Sequence, residues 1–323
     1  MTKSEIREKI YNAYANNLVL VAERYKVQFG LETGNEPELV DYPIYICPMC
    51  IKGFKKESLI QENQNPLTIE DLPPKSVGGN PKILTCKECN SKSGHLFDHL
   101  IIGSLKTESF LKRIPNSEIA SAITLKKDSR YKAITKIGDD LGFKFFIQTK
   151  DSTRLKETFK EIQNNWDGYK FNFTFYGPNQ KKLRIAYLRI GLLLAYYYFG
   201  NRIIIEENYH KIRNYINDSK NNSLPHDGVL FIPSSQKILS GLHILRNPEA
   251  LRSYLIIFQV KTKTITKNIG IPFPGPSELG WERYSNFKNI PKTTFDFTDI
   301  TSKEYIENKD LVNAYDYLYY NLK

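Results

Sequence analysis

Two cysteine pairs constrain this chain more than any other feature: Cys47-Pro-Met-Cys50 and Cys86-Lys-Glu-Cys89, with 35 residues between them and no cysteine elsewhere. A C-x-x-C turn presents two thiolates from one tight knuckle, and two knuckles complete a tetrahedral site for Zn²⁺. All four ligands then come from the protein, so the site is closed to substrate and its role is structural. It staples a loop-rich segment too small to build a core of its own. The redox alternative, a thioredoxin-type C-x-x-C, needs a strand-to-helix context in a βαβ fold, which two copies flanking a loop fit poorly. Confinement of all four to a 43-residue window also argues against disulfides through the body.

The rest of the chain is that of a globular protein. Its 323 residues are 41% hydrophobic and 25% charged, enough for two domains or for one domain with elaborations. A net charge of +11 suggests a polyanionic partner, because Lys and Arg that neutralise phosphates release condensed counterions. A lysine-rich solubilising surface gives the same number, so charge alone decides nothing. The start, Met1 to Ile10, is polar where a secretory segment needs an apolar run. The longest apolar stretch, Ile185 to Phe199, is broken by Arg189 and is shorter than the ~20 residues that span a bilayer. It reads as a core helix. The expectation is a cytoplasmic protein without a membrane partner.

Along the chain the spacing of apolar residues predicts a helix over 4–30, with Ser4 available as its N-cap, ended by the run from Gly30 to Pro37. Strands are expected at Leu67–Ile69, Lys82–Thr85, 119–125, 143–148, 172–176, 229–232 and 254–260. Helices are expected over Lys181–Phe199, Glu206–Ile216 and Leu311–Leu322. Gly270 to Gly280, with Pro272, Pro274 and Pro276, reads as irregular. The fold class is therefore α+β, with a small zinc-stapled module embedded in a larger α+β chain. The division expected is 1–40, an N-terminal helix; 41–110, the cysteine module; and 111–323, an α+β region for target, partner or trigger recognition.

Between and after the cysteine pairs stand Glu70-Asp-Leu-Pro-Pro-Lys-Ser-Val-Gly-Gly and then Leu84-Thr-Cys-Lys-Glu-Cys-Asn-Ser-Lys-Ser-Gly-His-Leu-Phe-Asp-His99. Read physically, these are a strand ending in two acids, a Gly78-Gly79 turn, a second strand, and a helix carrying Asn90, His95, Asp98 and His99. This segment, roughly residues 44–102, resembles the HNH endonuclease family, in the subgroup whose ββα-metal, treble-clef-like core is fused to a four-cysteine zinc knuckle. The resemblance implies a metal-dependent nuclease, with Glu70 at the first metal-binding acid and Asn90 at the last metal-side residue. It departs from the family at one position: the first histidine, the general base, is Asp71 here.

The reaction so implied is hydrolysis of a phosphodiester by in-line attack of water. A Mg²⁺ or Mn²⁺ ion on the hard oxygen ligands Glu70 and Asn90 would offset charge on the leaving oxygen. Histidine suits the base because its pKa of about 6.5 is poised near neutrality, whereas a free aspartate lies near 3.9. Three arrangements stay open: Asp71 takes the proton or orients the water; Asp71 turns to the metal while His95 or His99 takes the proton; or the module binds nucleic acid without cutting it. His95 and His99, four residues apart, would share a helix face. Lys52, Lys55, Lys56, Lys75, Lys82, Lys87, Lys92, Lys106, Lys112 and Arg113 surround the module and would meet phosphates, although each alone reads as solvated surface. The expected partner is nucleic acid, DNA before RNA, with a protein partner or a homodimer through the C-terminal region also open. Family context makes restriction or phage defence plausible settings.

Three weaker features complete the reading. Asp227 with Gln259-Val-Lys261 faintly resembles the acid and Q-x-K of another nuclease fold, against the plainer reading of a strand with an emerging lysine. Tyr196 to Phe199 reads as core before base-stacking platform. Tyr315, Tyr317, Tyr319 and Tyr320 read as packing before partner-facing patch.

Overall fold

The computed structural model describes residues 1–33, 36–39, 43–126, 129–148, 152–164, 172–226, 228–232, 239–289, 295–301, 308 and 311–322. Asp227 lies outside them. The fold is α+β, as expected. The chain divides into two compact units, one formed by Met1–His99, Lys181–Lys261 and Thr266–Lys323, the other by Leu100–Gln180 and Thr262–Ile265.

In chain order the first unit begins with α1 (Lys3–Tyr25), whose cap is Thr2 rather than Ser4. The Thr2 hydroxyl accepts from the Glu5 amide and the Glu5 carboxylate accepts from the Thr2 amide, a reciprocal capping box. Lys26, at φ 52°, ends the helix four residues short of the expected limit. A hairpin of β1 (Gly30–Thr33) and β2 (Glu36–Leu39) follows where only a breaker is expected. Then come the short pair β3 (Tyr45–Ile46) and β4 (Gly53–Phe54), and the longer pair β5 (Leu67–Leu72) and β6 (Asn80–Cys86). α2 (Lys87–Ser93) leads through a π-helical turn at Gly94–Asp98 into α3 (His99–Leu111).

The second unit takes up α3 and builds an antiparallel sheet from β7 (Glu118–Lys126), β8 (Ser129–Ile137), β9 (Phe143–Gln148) and β10 (Asn172–Phe175), in the order β10-β7-β8-β9. β8 occupies the middle of a stretch expected to hold only two strands. α4 (Ser152–Asn164) lies between β9 and β10 in the chain. One face of the sheet is closed: Ile123, Tyr131 and Ala133 pack with Phe145, Ile147, Phe173 and Leu155 of α4. Ile119 and Ile137 pack with Phe110 of α3.

The chain then returns to the first unit with α5 (Gln180–Phe199) and α6 (Glu207–Asn217). β11 (Leu230–Ile232), β12 (Gly241–Asn247), β13 (Ser253–Lys261) and β14 (Thr266–Phe273) follow, and α7 (Ser277–Ser285), β15 (Asp296–Asp299) and α8 (Ala314–Asn321) complete the chain. The sheet order is β11-β14-β13-β12-β15, antiparallel throughout. The segment expected to be irregular is thus the end of β14 and the start of α7. Pro272 is tolerated because the β11 pairing stops at Gly270, so no neighbour on that side needs its missing N–H.

α5 is buried almost all round, which places it inside rather than on the surface. Tyr187, Phe199 and Gly191 meet the sheet at Phe258, Tyr254 and Phe273. Its other side carries Tyr196, stacked on Tyr14 of α1 at 4.7 Å, with Tyr45 of β3 edge-on at 6.2 Å. Burial of leucines such as Leu188, Leu192 and Leu193 contributes about 1.5–3 kcal/mol each. Tyr196 and Phe199 are therefore core, as first read, while Tyr197 and Tyr198 between them are half-buried. Of the C-terminal tyrosines, Tyr315 and Tyr319 are buried and only Tyr317 and Tyr320 are exposed, so the four do not form one patch. Gln259 donates to Asn268 on the neighbouring strand, the behaviour of an ordinary strand residue. Among the described residues no helix is long and apolar enough to cross a membrane.

Candidate metal centre and the polar site beside it

Cys47 and Cys50 lie on the turn between β3 and β4; Cys86 closes β6 and Cys89 sits in the first turn of α2. The turn is drawn tight by two backbone bonds, Cys47 N–H to Lys52 O at 3.0 Å and Ile51 N–H to Cys47 O at 2.9 Å. Ile51 adopts a left-handed φ of 63°, a conformation a β-branched residue keeps only when its surroundings force it. At the other pair, the first turn of α2 is capped from the preceding loop: Lys87 N–H donates to Pro66 O and Glu88 N–H to the Asn65 side chain. Tyr45 ties the pairs together, its hydroxyl donating to Leu84 O at 2.7 Å and accepting from Leu84 N–H at 3.0 Å.

The four sulfurs all lie within 4.8 Å of one another, with Cys50 and Cys86 3.8 Å apart. A tetrahedron with Zn–S bonds of about 2.3 Å has edges of about 3.8 Å. Burial, with the other sulfurs close by, pushes the Cys47 thiol far above its usual pKa, so four thiolates cannot coexist here without a cation. The set therefore fits structural Zn²⁺. Zn²⁺ with four thiolates carries two net negative charges, and a buried guanidinium stands against them. Arg213 of α6 donates from Nε to Pro48 O at 2.7 Å, and burial lowers its pKa to about 10 against the pull of Cys47 and Cys50. Asn217 holds Met49 O at 3.1 Å.

Next to the cysteines, one face of the β5–β6 hairpin collects polar groups under the helix. Asn90 donates from Nδ2 to Thr68 Oγ1 at 2.9 Å and to Ile69 O at 3.3 Å. Glu70, 6% exposed, accepts from Thr85 Oγ1 at 2.9 Å and from Arg189 Nη1 of α5 at 3.1 Å. Arg189, which the sequence offers only as a break in an apolar run, is 3% exposed and is the charge partner of the motif acid. Asp98 joins this group: burial raises its pKa first, the Glu70 carboxylate raises it further, and Arg189 and His99 oppose. Glu70, Asn90, Arg189, Asp98 and His99 are thus brought together.

Asp71 is not brought to either histidine. A bulge separates it from Glu70 in the strand register, and the charges that act on it are Lys75, Glu70 and Lys3 of α1; burial dominates and raises its pKa. His95 and His99 are both exposed. The segment that carries His95 and leads to His99 is a π-helical turn, Gly94–Asp98, rather than the regular α-helix expected. Gly79 is required by the hairpin, since a Cβ there would lie 1.4 Å from Pro73 O. Of the surrounding lysines, Lys56 is paired with Glu8 at 2.7 Å, and Lys82 lies over the Tyr197 ring with its pKa lowered by burial.

A cleft of about 350 Å³ opens beside Cys50 and Cys89, lined by Glu88, Lys92, Ser93, Arg189, Asn217 and the apolar side chains of Met49, Leu96, Phe97 and Ile216. Arg189 Nη2 and Ser93 Oγ, both buried, have no hydrogen-bond partner among the described residues. Among those residues the cysteines are the one group of three or more His, Cys, Asp or Glu close enough to share a metal ion. No protein-family model matches the chain, and the searches of curated proteins and of solved structures returned no match.

Proposed function

We propose that the chain is a phosphodiester hydrolase of the HNH type acting on nucleic acid, DNA in the first instance. The observation that supports this reading best is the order and geometry of the module. Knuckle, hairpin and helix follow one another, and the acid of the first strand and the asparagine after the second knuckle sit on the same face. The donors Glu70, Asn90 and Asp98 are hard oxygen groups of the kind that hold Mg²⁺ or Mn²⁺, and such an ion would stabilise charge on the leaving oxygen. Arg189 and Lys92, at the cleft, are suited to the non-bridging oxygens of the phosphate. His99, the imidazole within the field of Asp98, is the better placed proton acceptor, because Asp71 faces Lys75 and Lys3 instead.

A second reading is favoured by one observation. Both oxygens of Glu70 are already engaged, one by Arg189, so the positive charge the acid needs is supplied within the protein. On that reading the module binds nucleic acid and does not cut it.

Cleavage of plasmid DNA with Mg²⁺ or Mn²⁺, measured beside binding for wild type and for Glu70→Ala, Asn90→Ala, Asp71→Ala, His95→Ala and His99→Ala, separates the two. The hydrolase predicts loss of cleavage in Glu70→Ala and Asn90→Ala, a fall of about 10²–10⁴ in His99→Ala, and little change in Asp71→Ala. Thermal melts exclude unfolding as the cause. Salt-sensitive binding without cleavage under either metal would leave the second reading standing.

A further inference from the structure

The sheet of the second unit closes one face and leaves the other in water. Along β7–β10 the odd-numbered residues make the core, and the even-numbered ones look outward. The outward rows can be read across the strands: Thr174, Ala122, Lys132 and Gln148 in one, Ala120, Ile134 and Phe146 in the next. An antiparallel sheet with one solvated face normally fills that face with small polar residues. Here Phe146 is 53% exposed and Tyr176, just past β10, is 63% exposed.

Beside Tyr176 the floor is low, with Ile134 between it and Phe146, because Ala120 and Ala122 carry only methyl groups. The depression they leave measures about 710 Å³, with Arg130, Lys132, Gln148 and Tyr176 among its walls. Arg130 both hydrogen-bonds the Tyr176 hydroxyl and lies over its ring, which fixes the ring's attitude. Lys132 and Lys136 have no ion-pair partner among the described residues. Glu118, cross-strand from Lys136, is taken up by Lys106 at 3.7 Å.

From this geometry we infer that the outer face of the sheet is a docking platform for single-stranded DNA. Exposed rings stack on unpaired bases whatever their sequence, and lysines between them meet the backbone phosphates. Strands are ~4.8 Å apart, so the three steps from β9 to β10 place the two rings roughly 14 Å apart. Sheets of four strands hold two or three stacked bases in this way. A duplex, whose bases are already stacked, has nothing to offer the rings. Stacking on the rings and phosphate contacts to the lysines require no 2′-hydroxyl, so the occupant assigned is single-stranded DNA, with RNA as the contrasting probe. The platform does not depend on hydrolysis at the zinc module.

The test is fluorescence anisotropy of the full zinc-loaded chain with a labelled single-stranded DNA of mixed sequence, its duplex, and the same sequence as RNA. No Mg²⁺ or Mn²⁺ is added, so failure of the hydrolase reading and failure of this one are read separately. The single strand should bind at least about tenfold more tightly than the duplex and no more weakly than RNA. Tyr176→Ala and Phe146→Ala should each weaken binding about tenfold, and Tyr176→Phe should retain it. Lys132→Ser combined with Lys136→Ser should reduce the slope of log K against log salt by about 1.4. All these side chains reach solvent, and unchanged melting curves confirm the fold. Wild-type affinity in both aromatic alanine variants, a preference for duplex or RNA, or the absence of salt-sensitive binding would each overturn the inference.

Discussion

In the unit that carries the cysteines a few charged side chains are turned inward; on the outer face of the β7–β10 sheet they are turned out. Arg189 and Glu70 are 3% and 6% exposed, and Arg213 is buried beside the knuckle. Each is there because something of opposite charge is there too: a carboxylate for one guanidinium, the thiolates for the other. In the sheet unit Arg130 and Lys132 stand in solvent, Arg130 with the Tyr176 ring rather than a carboxylate for company. Buried charge is costly unless it is paired, so the first arrangement fixes a geometry. Exposed charge on a flat face is nearly free of cost and keeps its capacity for an outside partner. The contrast separates a place where chemistry could be held rigidly from a place where a polymer could be held loosely.

The comparison breaks most visibly at the metal. Cys86→Ser removes a buried thiol from the four-cysteine cluster that fits zinc. Structural zinc binding of about 10–16 kcal/mol is as large as the roughly 5–15 kcal/mol by which whole domains are stable. Hydrogen exchange should show protection lost over residues 43–99 and kept on β7–β9, with metal analysis falling from one zinc per chain to none. Equal loss in both units would show that they do not differ as described.

A smaller effect is expected at the buried ion pair. Glu70→Gln leaves Arg189 without its counter-charge and should destabilise the first unit by about 3–5 kcal/mol in urea. Adding Arg189→Met should restore most of that. The exposed pair Lys106–Glu118 of the sheet unit, broken by Glu118→Gln, should cost less than about 1 kcal/mol. If the two pairs prove alike, burial is not what distinguishes them.

The smallest effect is a slope with pH. Asp98 has a raised pKa in the folded chain, chiefly through burial, so the folded state holds this proton more tightly than the unfolded one. Its stabilising contribution is therefore complete below the ordinary carboxylate value of about 4 and is lost as pH rises through the folded pKa. Asp98→Asn should flatten stability against pH over that window, read from urea midpoints. A slope that is unchanged would place Asp98 in water.

What could be read from the sequence depended on how far away a residue's partner lies. The cysteines declare themselves because each pair is a local turn, and α5 because its apolar run is unbroken but for one arginine. That arginine shows the limit: its partner Glu70 is 119 residues away, and nothing near position 189 announces it. β8 carries a period-two pattern from Arg130 to Ile137, but Ala133 and Thr135 are too small to make its inner positions stand out. Pro272 hides a strand because the neighbour that would need its N–H has already ended. Glu70 and Asn90 stand out in the sequence only through the motif, and their bonds to Thr85, Thr68 and Arg189 have no local sign. The bulge after Glu70 and the π-helical turn before His99 are not legible in the same way, because neither has a residue signature of its own.

The bond from Arg213 to Pro48 has a consequence for synthesis. The two residues are 165 apart, and ribosomes add about 5–20 residues each second. The knuckle therefore emerges roughly 10–30 s before the side chain that seats it. During that interval its thiols are open to metal ions, to oxidants and to one another. Zinc that arrives early would hold the turn in shape until helix and sheet close over it, and a cell short of zinc would accumulate chains that have missed that moment.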